Sequence, residues 1–398
     1  MREPLRVLVV THNYPRFPGD PAGAYVARLA RSTAASGSQV RVIVPHTPGT
    51  PVDETDAGVA VQRFRYAPDF LERIGFRGDV GTRAFLAPLT LAVAPFYVWR
   101  FRAALRAAVR SFAPDVIHAH WWLPAGWLAT GQGVPTVITC HGSDVRLLER
   151  AQWRTIGRRV LQRAAAVTAS SHFLAADIAG FVPGLARPVS VTPMPIDVER
   201  FAAGHTVSKA TPPRVLYAGN LVPLKGVDVL LRAMQQLKRR GVSCRLKILG
   251  EGPERPALAR LATELDVADI VDWSQFVPQD RMPAEYGAST VTVLPSRGKA
   301  EGLGLVLVEA LLAGSAVVGT PAGGIPEVIT DGQTGLLARD GDSADLAEQI
   351  GRLLADSQLA HRLTVAGQSR AGELFAAAPA ARRFQDLYHA VAHRHAAS

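Results

Sequence analysis

SRGKAEGLGLVLVEALLAGSAVVGTPAGG, residues Ser296 to Gly324, decides how the rest of the chain is read. Its centre, Leu305 to Leu312, is apolar on every side except at Glu309, and a helix without a polar face is normally buried. A carboxylate in such a helix needs a partner, and the hydroxyl groups of a bound ligand would serve. Glu301 stands eight positions earlier, ahead of Gly302, Leu303 and Gly304, which open the helix. Glycines there let a ligand approach the backbone, and the first amides of a helix favour phosphate oxygens. The competing reading is a solvent-facing Glu309 on an amphipathic helix, with Glu301 in a surface loop.

Working outward, short apolar runs alternate with helical ones. Leu5–Val10, Val40–Val44, Val116–His118, Pro135–Thr139 and Ala166–Ala169 read as strands, and Ala24–Ala35, Trp153–Ala164 and Phe173–Ala179 as helices. This alternation predicts βαβ units and a parallel sheet, with ligands beyond the carboxyl ends of the strands. Proline-rich residues 183–197 and the polar stretch Gly204–Pro213 read as a linker, after which Arg214–Ala218, Arg245–Leu249 and Val291–Leu294 begin a second set of strands. At 398 residues the chain is long for one core. The expected division is residues 1–195, residues 196–376, and a last helix, 377–396, returning to the first domain.

The net charge of +10 invites a nucleic-acid reading, but no zinc-finger spacing, aromatic RNA-binding signature or basic tail accompanies it, so no nucleic-acid partner is expected. A membrane surface suits the pattern better. Between Arg83 and Arg100 lie sixteen uncharged residues, AFLAPLTLAVAPFYVW, short of the roughly 20 that span a bilayer. Arginines at helical spacing follow, as in an interfacial helix; an internal helix under the first sheet with a solvated arginine face is the equal alternative. Two cysteines, Cys140 and Cys244, are too few for a disulfide framework, and MREPLRVLVV reads as a first strand and not as a signal peptide. A cytoplasmic location, with peripheral contact on the inner membrane face, is the expectation.

The pair Glu301 and Glu309 flanking Gly-Leu-Gly, followed by an Ala-Gly turn, Val317–Val318 and the Gly-Gly-Ile-Pro-Glu of Gly323–Glu327, resembles the donor site of family 4 retaining glycosyltransferases. The resemblance implies α/β architecture of the GT-B type: two doubly wound Rossmann-like domains facing across a cleft, the first for the acceptor and the second for a nucleotide-sugar donor. It implies Glu301 on the sugar, Glu309 on the ribose, and Lys225 with the backbone at Gly304 and Leu305 on the diphosphate. His141, in the HGSD of His141–Asp144, is placed against the donor sugar. Family members carry arginine where Asn220 stands, which leaves more of the leaving-group stabilisation to Lys225. Gly219, Gly250, Phe276, Val277, Gly302 and Leu303 fall at further donor positions, and the glycine-rich loop with Gly19 and Gly23 reads either as a ligand contact or as an ordinary turn.

His118, His120 and Trp121, with Asp144, read as the lining of an acceptor cleft. Two histidines one residue apart on a strand share a face, but no Cys or carboxylate set completes a metal site. Asp340-Gly341-Asp342 resembles a metal-holding triplet, yet a turn with a helix N-cap explains it more simply. No metal and no cofactor are expected, only the nucleotide-sugar as substrate and a saccharide or lipid-linked acceptor. Rival readings are a sugar-nucleotide epimerase or phosphorylase of the same fold, and a non-catalytic nucleotide-sugar-binding protein.

Overall fold

Runs of Val, Ile and Leu become strands in the computed structural model, which describes residues 4–20, 22–72, 88–275 and 277–396. The chain divides into two units: one extends to Pro195 and resumes at Ala377, and the other is Ile196–Ala376.

The first unit holds β1 (Arg6–Val10), β2 (Gln39–Pro45), β3 (Asp53–Asp56), β4 (Val59–Phe64), β5 (Val116–His120), β6 (Thr136–Cys140), β7 (Ala166–Ala169) and β8 (Ser190–Val191). They form one sheet in the order β3-β4-β2-β1-β5-β6-β7-β8, parallel throughout except for the antiparallel pair β3 and β4. β1 is central, with Val9 opposite Val42 on one side and His118 on the other. Alternate residues of β1 serve two cores, as a strand buried on both faces requires. Leu8 and Val10 pack with Phe101 and Leu105 of the helix Pro88–Phe112; Val7 and Val9 pack with Val26 and Leu29 of the helix Ala24–Ala35 and with Phe384 and Tyr388. The helix Ala377–Ala396 therefore belongs to the core of the first unit.

In the second unit β9 (Arg214–Ala218), β10 (Arg245–Leu249), β11 (Val271–Ser274), β12 (Val291–Leu294), β13 (Ala316–Gly319) and β14 (Leu336–Leu337) form a parallel sheet ordered β11-β10-β9-β12-β13-β14. One core joins it to its helices, among them Val227–Arg239, Leu305–Leu312 and Ser343–Ala355.

Two expectations need correction, and one helix was not foreseen. The polar stretch Gly204–Pro213 is no free linker: Gly204 is buried, and Lys209 Nζ donates to the carbonyls of Ser289 and Gly314 at 2.7 and 2.6 Å, fastening the segment to the second unit. The strand expected to end at His118 continues to His120. A helix over Ser357–Phe375 packs on Leu305–Leu312.

Candidate active site

Each sheet has one place where the strand order reverses, and in such sheets ligands bind beyond the strand ends there. In the second unit it lies between β9 and β12. The loop after β9 carries Gly219, Asn220 and Lys225; the loop after β12 carries Ser296 and Glu301. Glu301 Oε1 accepts from Lys225 Nζ at 2.5 Å and from Ser296 Oγ at 2.5 Å. With only 8% of its surface exposed, this carboxylate is tolerable because a cation and a hydroxyl replace its lost water. Two glycines bring the loops together. At Gly226 (φ 66°) a Cβ would lie 2.0 Å from the Pro295 carbonyl oxygen, and at Gly323 (φ 56°) 1.9 Å from that of Glu301. Any other residue at either place would push apart the backbone that sets the Lys225–Glu301 pair.

The helix Leu305–Leu312 starts from Gly304 without a capping side chain, so its first amides are available to an anion. Leu305, Val306 and Glu309 form its only partly exposed face. The helices Val198–Ala202, Met282–Gly287 and Ser357–Phe375 pack around the remainder, which explains its lack of polar residues. Glu309 has a partner inside the protein: the hydroxyl of the fully buried Tyr286 donates to its Oε2 at 2.9 Å. Burial first, and the Glu309 charge second, push the Tyr286 phenol well above its ordinary pKa, so it stays a donor.

Other donor-side residues occupy plainer positions. Asn220 is exposed, and its carbonyl accepts from Tyr217 Oη at 2.8 Å. The Gly250 loop is tied to the Gly219 loop through the Gly219 amide on Leu249 and the Leu221 amide on Glu251. Leu303 is buried, Gly302 packs against Gly324, and Val277 rests on the core; Phe276 lies outside the described residues. Asp342 caps the helix Ser343–Ala355 through the amides of Ala344 and Asp345, while Asp340 accepts from the Gly298 amide, so the triplet is a turn with an N-cap.

In the first unit the reversal lies between β1 and β5. His12 follows β1, His120 ends β5, and His141 follows β6. Trp121 packs over His12 at 4.1 Å and over His141 at 4.4 Å between ring centroids, and Tyr25 lies 5.1 Å from His141. His12 and Tyr25 escaped the sequence reading; the signal for His12 was its place two residues past the end of the first strand. Burial holds His12, His118 and His141 near a pKa of about 3, and His120 well below its ordinary value, so the cluster is neutral.

The lining expected from His118, His120, Trp121 and Asp144 is not what these side chains provide. His118 is wholly enclosed, and both its ring nitrogens are engaged, with Thr139 Oγ1 and Tyr388 Oη, each at 2.7 Å. His120 is equally enclosed, and Trp121 keeps 6% exposure. Asp144, 2% exposed, accepts from the amides of His141 (2.9 Å), Gly142 (3.1 Å) and Trp122 (3.2 Å), shaping the turn that carries His141. All four are supports. His141 alone among the four imidazoles is partly open. Gly23 (φ 69°) starts the helix Ala24–Ala35 with its backbone against Asn13, and Gly19 stands in a turn closed by Arg16 and Asp20.

Among the described residues, one group could gather around a metal ion: His46, Asp69 and Glu72. There His46 Nδ1 pairs with Glu72 and Nε2 is 3.0 Å from the Thr50 carbonyl, so the imidazole is already engaged.

The helix Pro88–Phe112 has one buried and one exposed face. Val93, Tyr97, Phe101, Leu105 and Ala108 are buried under the sheet, while Phe96 and Trp99 stand 62% and 61% exposed beside Arg100, Arg102, Arg106 and Arg110. Among the described residues no helix is long and apolar enough to cross a membrane.

Two family models match the chain: "Glycosyl transferases group 1" over residues 200–370 and "Glycosyl transferase 4-like domain" over residues 22–195. The D-inositol 3-phosphate glycosyltransferase of Nocardia farcinica is 30% identical over 383 residues, covering 87% of this chain and 80% of the relative. The GDP-mannose-dependent alpha-(1-6)-phosphatidylinositol monomannoside mannosyltransferase of Mycobacterium tuberculosis is 30% identical over 380 residues, covering 91% and 92%. In fold, the sucrose-phosphate synthase of Thermosynechococcus elongatus matches with a TM-score of 0.77 at 23% identity, over 99% of this chain and 100% of that one.

Proposed function

We propose, from the premise that this chain belongs to the glycosyl transferases of group 1, that its second unit holds the nucleotide-sugar donor and that transfer proceeds with retention and without a metal. The observation that carries this reading is the Lys225–Glu301–Ser296 group beside the uncapped helix start at Gly304, at the reversal of the sheet. A departing diphosphate needs fixed positive partners. Lys225 supplies an ammonium already oriented by Glu301, and the amides at Leu305 and Val306 supply the helix's positive end. Glu301 then faces the sugar hydroxyls and Glu309, steadied by Tyr286, the ribose. In the first unit, His141 is the imidazole open to a sugar hydroxyl. The anomeric carbon loses its bond to the phosphate oxygen and gains one to the acceptor hydroxyl oxygen, whose proton passes to the departing phosphate.

The acceptor in this reading is a saccharide or a lipid-linked saccharide, presented where the helix Pro88–Phe112 meets an anionic membrane surface. Exposed Phe96 and Trp99 beside a row of arginines support it: aromatic rings enter the interface while the guanidinium groups meet phosphates. Both of the relatives named above act, by their names, on inositol-containing acceptors.

A thermal-shift panel of UDP, GDP, ADP and CMP with their sugars tests the donor site. One base family should raise the midpoint, with turnover only when an acceptor is added; stabilisation by none of them, or turnover of donor alone, overturns the reading. Sedimentation with anionic vesicles tests the surface. The Phe96→Ser, Trp99→Ser double variant should stay in the supernatant, and equal sedimentation of variant and parent removes the membrane contact.

A further inference from the structure

We infer that His120 is a positioning residue that holds His141 in the tautomer whose hydrogen is on Nδ1, so that the open edge of His141 is a hydrogen-bond donor. The functional consequence rests on the reading of His141 as a sugar contact; the tautomer itself does not.

His120 Nδ1 and His141 Nε2 are 3.0 Å apart, and one hydrogen lies between them. His120 is fully enclosed, and its Nε2 has no hydrogen-bond partner among the described residues. Two neutral arrangements satisfy the contact. If His141 donated, His120 would carry its own hydrogen on Nε2, as a buried N–H with nothing to receive it. If His120 donates, its Nε2 is a bare lone pair. Orphaned buried N–H groups are rarer in folded proteins than under-satisfied acceptors, which selects the second arrangement. His141 Nε2 then accepts, and its hydrogen sits on Nδ1. A doubly protonated His120 would also bury that orphan N–H, and burial opposes it independently.

The rings around this bond leave it little freedom. The His118 ring lies tilted against His120 at 4.2 Å between centroids and is itself fixed by Thr139 and Tyr388. Above His141, the Trp121 ring sits at 4.4 Å. Trp121 reaches that place with φ 65° and ψ 137°, a backbone region that strains a non-glycine residue. Its amide bonds to Thr139 O at 2.9 Å and its indole N–H to Ser143 Oγ at 3.1 Å, so the strain is maintained from both ends. Backbone strain of this kind is retained where a side chain must be held in one place, and the ring it holds here lies on His141.

The experiment is ¹⁵N long-range correlation of the histidine rings in the full-length protein, with the His141 signals identified by their absence in His141→Gln. His141 should show a protonated Nδ1 and a bare Nε2. In His120→Asn, whose side-chain amide keeps a donor near the Nδ1 position, the pattern should persist. In His120→Phe, which keeps a ring and loses the donor, His141 should show mixed tautomers or the reverse one. Turnover should fall about tenfold in His120→Phe, as expected for one misplaced hydrogen bond, and stay within twofold to threefold in His120→Asn. A bare Nδ1 on His141 in the parent protein overturns the inference, as does an unchanged tautomer in His120→Phe. If His120→Phe does not fold, the parent spectrum and His120→Asn still decide. A protein that binds no sugar nucleotide but shows the expected tautomer would sink the functional reading and leave this one standing.

Discussion

At the carboxyl ends of their two sheets, the units of this protein bury polar side chains by opposite means. The first keeps His12, His118 and His120 uncharged, packed as aromatic rings. The second keeps charge: Glu301 is enclosed against Lys225 and Ser296, and Glu309 is anchored by Tyr286. A neutral ring needs only hydrogen bonds to be buried, whereas a carboxylate needs a cation or several donors. The difference matches the work proposed for each unit. A sugar is neutral and is well received by rings and N–H groups, while a diphosphate has to be met by positive charge already in place.

Acid should break the symmetry of this comparison most strongly. For His12 and His118, burial lowers the folded pKa from 6.5 to about 3. The unfolded chain therefore binds protons first as pH falls, so the stability these groups allow is fully present above pH 6.5 and is lost as pH drops from there toward 3. At pH 5 the loss is about 2 kcal/mol for each, roughly 4 kcal/mol together. Five of the six tryptophans (99, 121, 122, 127 and 153) lie in the first unit, so fluorescence reports it. The urea midpoint by fluorescence should fall sharply between pH 7 and 5, while hydrogen exchange on β9 and β12 changes less. Equal loss in both units would mean that the neutral cluster is not the acid-sensitive element.

Lys225 tests the charged side. Lys225→Ala removes the ammonium from the proposed leaving-group site and should lower kcat by about 10²–10³-fold, the usual effect of deleting one fixed electrostatic partner. Lys225→Arg should recover part of it. The fluorescence midpoint of the first unit should not move. A kcat within threefold of the parent would detach Lys225 from the chemistry and leave it as the counter-ion of Glu301.

How much of this was written in local sequence differs between the units as well. The strand β9 and the helix Leu305–Leu312 stand where their apolar patterns put them, because every residue that decides them is within a turn or two. The hairpin strand β3, sequence DETD, has no apolar alternation and is held by backbone pairing to β4, so its pattern had nothing to show. Shared-face geometry was legible for His118 and His120, but not which face a distant helix would cover. Tyr388, 270 positions away from His118, supplies that cover. Ser296 and Tyr286 were missed for the same reason: a carboxylate announces that it needs a partner, and only the fold says which one.

The smallest effect is the most direct measure of the contrast, because the same deletion can be made on each side. Tyr286 and Tyr388 are both fully buried, and each spends its hydroxyl on one group, a carboxylate in one case and a neutral imidazole in the other. Tyr286→Phe deletes a bond to a charged group, worth about 1.5–3 kcal/mol, with the low end expected because Glu309 is partly exposed to water. Its cost should appear in the midpoint of the second unit and, if Glu309 meets the ribose, as a raised KM for the donor with kcat little changed. Tyr388→Phe deletes a neutral bond, about 1 kcal/mol, or about 2–4 °C in the midpoint of a unit this size, with no change in donor KM. The His118 ring should then loosen against the helix Ala377–Ala396. If Tyr388→Phe proves as costly as Tyr286→Phe, the imidazole it holds is carrying charge, and neutrality is not what makes the first cluster tolerable.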